Sequence, residues 1–183
     1  MLIARSKKQE NIIEYLIYMF QIEELVRASE LDVEKIYHTI IQPQIKDEKL
    51  ALEYKAWYSS IINELNTYNK QKVGHINDVT EVQVELFYLH NSLLNLMNDE
   101  KYRTFYDAAL PFIKEFRDKS NAAQLNDVDM AIQALYTKLL LRLKGSEISE
   151  ASEEAFDAMR KMLAYLAKAY HKMKSGDLNF INN

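Results

Sequence analysis

Glycine occurs 3 times and proline 2 times in 183 residues, and that scarcity constrains the fold more than any motif does. Hairpins and tight turns draw on glycine for positive φ and on proline for a preset turn. A chain that so rarely uses either is built from helices. Apolar residues recur at helical spacing along nearly the whole length, and the breaks fall where capping and turn residues cluster. The expected fold is all-α: a single-domain antiparallel bundle of about seven helices occupying residues 1–183, with the last few residues frayed. The length suits one domain, since domains commonly run about 50–250 residues. Composition agrees, with 48% hydrophobic and 27% charged residues able to build and solvate a packed core.

The spacing predicts a first helix from Lys8 to Ala28 and a second from Asp32 to Gln42, with Ser29 and Asp32 as candidate N-caps and Pro43 as the stop. A third, Asp47 to Lys70, carries Leu50, Tyr54, Trp57, Ile61, Leu65 and Tyr68 on one face, and KVGHIND follows as a loop. The fourth, Val79 to Met97, steps Val79, Val82, Leu86, Leu89, Leu93, Leu96, the alternating three-and-four spacing that draws one narrow apolar stripe. The fifth, Glu100 to Lys119, contains Pro111, where a kink or break is expected. SNAAQLND leads to the sixth, Asp127 to Lys144, closed by Gly145. The last starts near Ser149 with glutamates in its first turns and lysines near its end, an order that complements the helix macrodipole.

ENIIEYLIYMFQIEELVRA, Glu10 to Ala28, imitates an export or membrane segment behind Arg5, Lys7 and Lys8. Its uninterrupted apolar run is only Tyr15 to Phe20, whereas a spanning helix needs about 20 predominantly apolar residues. Glu14 breaks the run, and Gln21, Glu23 and Glu24 stand where a cleavage site would require small residues. Membrane insertion and export are therefore not expected. Absence of cysteine removes disulfides, thiolate metal sites and a cysteine nucleophile. A net charge of −4 argues against a dedicated nucleic-acid binder.

Few residues carry recognisable chemistry. Carboxylate-bridged di-metal bundles use Glu-x-x-His because residues three apart project to one side, yet none of the 4 histidines has an acidic residue three positions before it. His38 has Glu34 four residues earlier, on the polar face, and is expected to make a solvated pair. His90 falls beside Leu86, Leu93 and Met97 on an apolar face and should be at least half buried, more readily as a hydrogen-bonded core residue than as a base or ligand. On the opening helix, Glu10, Glu14, Gln21 and Glu24 share a narrow strip among apolar residues. If that helix is central, Glu14 needs a cation, several hydrogen bonds or a proton of its own, with Arg142, Arg103 and Arg117 as candidate cations. The functional form of this expectation is a polar, ligand-binding pocket of Glu14, Gln21, His90 and Arg142; the structural form is an ion pair that sets helix register. Arg160, Lys161, Lys168, His171 and Lys172 make a basic stripe on the last helix that is expected to be a solvated face. No phosphate loop, nucleophile elbow or zinc spacing occurs, so no catalytic residue, metal or cofactor is assigned.

Four segments, MLIAR, NIIEYLIYMFQIEELVR, ALPFIKEFRDKS and LYTKLLLRLKGSEIS, together give the chain a resemblance to a family of small bacterial proteins, domain of unknown function 4924. The resemblance implies a compact all-helical, cytoplasmic bacterial protein with no assigned catalytic residues. It also makes the opening segment, with Glu14, Tyr15, Gln21 and Arg27, the family's most characteristic stretch. The expected role is a soluble, noncatalytic interaction or structural protein, homo-oligomeric or bound to a protein partner through an apolar or aromatic helix face. The alternative is a ligand-binding protein or enzyme with a polar pocket around Glu14.

Overall fold

The computed structural model describes residues 2–120 and 124–177, and these are mainly helical, with no strand among them. In chain order the helices are α1 (Leu2–Glu10), α2 (Ile12–Ala28), α3 (Val33–Ile36, widening into a π turn at Tyr37–Ile41 and ending with Gln42–Gln44), α4 (Glu48–Thr67), α5 (Asn77–Asn91, followed by a π turn at Ser92–Leu96), α6 (Glu100–Lys119), α7 (Asp127–Leu143) and α8 (Glu150–Lys174). The expected fraying of the last few residues, and part of the SNAAQLND connection, lie outside the described residues.

Most ends are set by the residues that composition pointed to. Asp32, Asp47, Asp99, Asn126 and Ser149 each sit in extended backbone and accept a hydrogen bond from an amide of the first helical turn. Ser29 caps nothing; it is buried at the end of α2. Gly145, at φ +68°, closes α7: its N–H bonds the Arg142 carbonyl at 3.0 Å and the Ser146 N–H bonds that of Leu141 at 3.0 Å, the paired closure that a left-handed residue permits.

Two helix boundaries differ from expectation. The first predicted helix is two, because Asn11 interrupts it: its side-chain oxygen accepts from the Ile13 and Glu14 amides at 3.0 and 3.3 Å and starts α2 afresh. Pro43 does not stop α3, since the preceding π turn, with Gln42 N–H reaching the Tyr37 carbonyl, carries the chain past a residue that cannot donate. Of the kink or break expected at Pro111, the break does not occur, since α6 continues through it. The π turn after α5 has its own consequence. Val79, Val82, Leu86, Leu89 and Leu93 are buried as the stripe predicts, but the wider turn rotates the register, so Leu94 is buried and Leu96 is exposed.

The chain forms two compact units. One comprises the chain through Ser6 together with Tyr18–Glu81; the other comprises Lys7–Ile17 together with the chain from Val82 onward. In the first, α3 packs on α4, and Met19, Phe20, Ile36, Tyr58, Ile61 and Leu65 are buried. In the second, α6, α7 and α8 pack on one another, with the longest contact between α6 and α8. Phe156, Met159, Leu163, Leu166 and Tyr170 of α8 are buried, as their spacing predicts. Polar ties lie over this core. Tyr165 donates to the capping carboxylate of Asp99 at 2.6 Å, and burial together with that bond pushes its hydroxyl up to about 12. Tyr170 and Lys174 both donate to Glu85, at 2.6 and 2.5 Å. Against the upward pull of burial, those bonds hold Glu85 below the usual carboxylate range.

Candidate functional site

The most unusual carboxylate in the first unit is Glu23, in the second half of α2. It is 0% exposed, and a carboxylate in that position is costly unless every lone pair finds a donor. Two donors come from the segment that joins α4 to α5. His75 Nδ1 lies 2.5 Å from Oε2, and the Ile76 N–H donates to Oε1 at 2.9 Å. One turn further along α2, Arg27 Nη2 donates to the carbonyls of Lys70, at 3.2 Å, and Gly74. Its Nη1 bonds Glu24 at 2.6 Å. Gly74 has φ +96°, a backbone conformation that glycine adopts without strain and that aims its carbonyl at the guanidinium. Phe20 lies flat against the His75 ring, with centroids 4.3 Å apart and planes at 18°.

Phe20, Glu23 and Arg27 are spaced three and four apart on α2, so one helix face supplies a ring, an acceptor and a donor to one loop. Glu64 of α4 adds a second carboxylate, accepting from the Asn77 N–H at 2.6 Å. The first amides of α5 therefore end on two carboxylates, the charge that the N-terminus of a helix favours. Chemically, a histidine whose Nδ1–H is held by a buried carboxylate has its tautomer and ring orientation fixed, and Nε2 presents the lone pair.

The second unit holds a different histidine cluster. His90, buried as expected, lies 2.7 Å from the Tyr102 hydroxyl through Nδ1, with the Tyr106 ring edge-on at 4.9 Å. Tyr106 and Arg117 both donate to Asp127, at 2.5 Å each. Burial lowers the His90 pKa, opposed by the charge of Asp127. Burial also raises the Tyr102 and Tyr106 hydroxyls well above the usual phenol range. Burial would raise Asp127 as well, yet the bonds from Tyr106 and Arg117 hold it below the ordinary carboxylate value.

The four residues singled out from sequence have separate surroundings. Glu14 is not buried: its side chain is 60% exposed and its carboxylate meets Lys7 Nζ at 3.2 Å. None of the expected arginines is its partner. Arg142 is exposed and pairs with Glu153 at 3.1 Å, Arg103 donates to the Leu94 carbonyl, and Arg117 holds Asp127. Gln21 is half-buried, and Glu10 and Glu24 are exposed, so the polar strip of α2 faces largely outward. His38 and Glu34 are both exposed, 3.9 Å apart, as their spacing predicts. Part of the basic stripe of α8 is neutralised locally, because hydrogen bonds from Lys161 and Arg160 lower Asp157 to about 2.

Sequence reasoning missed Glu23 and His75 and noticed Arg27 only as part of a characteristic stretch. The available signal was the common face of Phe20, Glu23 and Arg27; its partners lie 43 to 53 residues away in a loop with no motif.

The family model described as domain of unknown function (DUF4924) matches residues 1–177, a span that takes in α1 through α8, Glu23 and His75. The chain belongs to that family. No curated protein and no solved structure matches it. Among the described residues no helix is long and apolar enough to cross a membrane.

Proposed function

We propose that this DUF4924 chain is a single-domain, noncatalytic helical interaction protein that pairs with a second copy of itself through the outer face of α5. One observation carries the reading. Val84, Phe87 and Tyr88, at successive helical positions of one face, are 47%, 37% and 67% exposed. Asn91 continues that face, so a strip about two turns long, from Val84 to Asn91, carries no charge. Large apolar side chains gathered on one uncharged face mark an interaction surface more often than singly scattered ones do. A strip without charge also fits its own copy, since two such faces can meet across a two-fold axis without opposing like charges. The rest of the proposal, a cytoplasmic protein of a bacterium, rests on the family resemblance, and the length is that of an ordinary domain.

Sedimentation or light scattering over a wide concentration range tests this. The expected result is a dimer that Phe87→Glu with Tyr88→Glu converts to a monomer of unchanged helicity. A wild-type chain that stays monomeric at the highest concentrations overturns the reading.

A further inference from the structure

The Glu23–His75 pair shares no residue with the α5 strip and has a reactive geometry of its own. We propose that His75 is a phosphoryl-acceptor site, taking a phosphoryl group at Nε2 from an acyl phosphate donor.

Three features support it. First, Nδ1 is committed to a carboxylate that is 0% exposed, which fixes the proton on Nδ1 and leaves Nε2 with the lone pair. Second, the His75 side chain is 29% exposed with one ring face covered by Phe20, so the ring is held rigidly while an edge remains open to a donor. Third, the loop brings cations. Lys70, whose Nζ lies 5.7 Å from the Tyr68 ring centroid, and the exposed Lys72 stand in the segment just before His75. Long, flexible lysines so close in sequence raise the local positive potential that a phosphoryl dianion meets.

Other uses of such a histidine ask for more than surrounds it. Metal binding needs several ligands, and among the described residues no group of three His, Cys, Asp or Glu side chains is placed to hold an ion. Phosphoryl acceptance needs only an oriented lone pair that a donor can reach. The step balances. Nε2 forms the N–P bond as the P–O bond of the acyl phosphate breaks and the carboxylate leaves with its electron pair. The imidazolium that results keeps its proton on Nδ1, where Glu23 carries the opposite charge.

The test uses the intact chain with acetyl phosphate, read by phosphorus NMR and by mass spectrometry under non-acidic conditions. His38 is an internal control: it is more exposed, 63% against 29%, but its Nδ1 meets only the Gln42 amide oxygen. The expected product is an acid-labile phosphoramidate on His75, formed faster than on His38. Glu23→Gln should slow it roughly tenfold, the scale on which a carboxylate orienting a ligating imidazole acts, because the amide carries no charge to balance the imidazolium that forms. Absence of label on His75, or labelling of His38 at an equal or higher rate, overturns the proposal. That comparison within one wild-type molecule holds whether or not the Glu23 variant folds, and a monomeric chain would leave it unaffected.

Discussion

The two histidine clusters solve one problem, a polar ring among apolar neighbours, in opposite ways. Around His75 the chain buries a carboxylate and surrounds it with donors from a distant loop. Around His90 it buries the ring itself, meets it with a tyrosine hydroxyl, and leaves the charges of Asp127 and Arg117 only partly buried beyond a second tyrosine. The first arrangement stakes stability on keeping an ion paired. The second keeps the buried ring uncharged, as its lowered pKa implies.

Truncation should expose that difference most strongly. Glu23→Ala leaves the Ile76 amide and the His75 ring without their acceptor and unpins the start of α5. A donor left without its acceptor costs about 1–3 kcal/mol, more where the lost acceptor was charged, and Glu23 serves two such donors. Tyr102→Phe removes only a hydroxyl from His90, and an unpaired buried group of this kind costs about 1–3 kcal/mol. Urea unfolding of the two variants checks the order. If Tyr102→Phe is the more destabilising, the contrast between an ionic and a neutral cluster is wrong.

Acid should distinguish the clusters next. The folded-state pKa of His90 lies below its ordinary 6.5, because burial opposes the charged form. As pH falls past 6.5 the unfolded chain takes up the proton first, so stability contributed above that value is lost progressively toward the lower folded pKa. Asp127 and Glu85, both held below their ordinary 3.8 and 4.5, add a later loss under more acidic conditions. Melting temperatures followed from neutral to acidic pH should therefore fall in two stages. His90→Gln, which cannot titrate, should flatten the first stage and leave the second. An unchanged first stage in that variant would mean that another group supplies it.

How much of this was legible follows from the range of each interaction. Asp32 was readable as a cap, and Asp47 and Ser149 as helix starts, because a cap and the amides it serves lie within four residues. The stripe of α8 was readable for the same reason, since helical phase is a local property. Leu96 was misplaced because one π turn shifts the phase, and nothing in SLLNL announces the wider turn. His90 was placed correctly by phase, but Tyr102 and Asp127 as its neighbours were not, because they arrive from other helices. Glu23 was overlooked for the converse reason: a glutamate beside another glutamate looks solvated until a loop 52 residues away covers it.

Glu14 and Glu23 make the point on a single helix. Nine residues are roughly two and a half turns, so the two carboxylates leave α2 on opposite sides. Apolar residues lie on nearly every side of the segment, so periodicity alone does not rank its faces, and the strip containing Glu14 gathers the most polar groups. The structure inverts that ranking: the strip is mostly exposed, and the lone carboxylate opposite it is buried. Glu14→Gln is accordingly the smallest expected effect. It removes a 3.2 Å pair with Lys7 between exposed or part-exposed side chains, a class of contact worth about 0–1 kcal/mol and screened by salt. Denaturation midpoints at low and high salt measure it, and the small difference between variant and wild type should shrink as salt is added. A salt-independent loss as large as that of Glu23→Ala would mean that Glu14 is buried in solution, with the interior partner that the sequence first led us to expect.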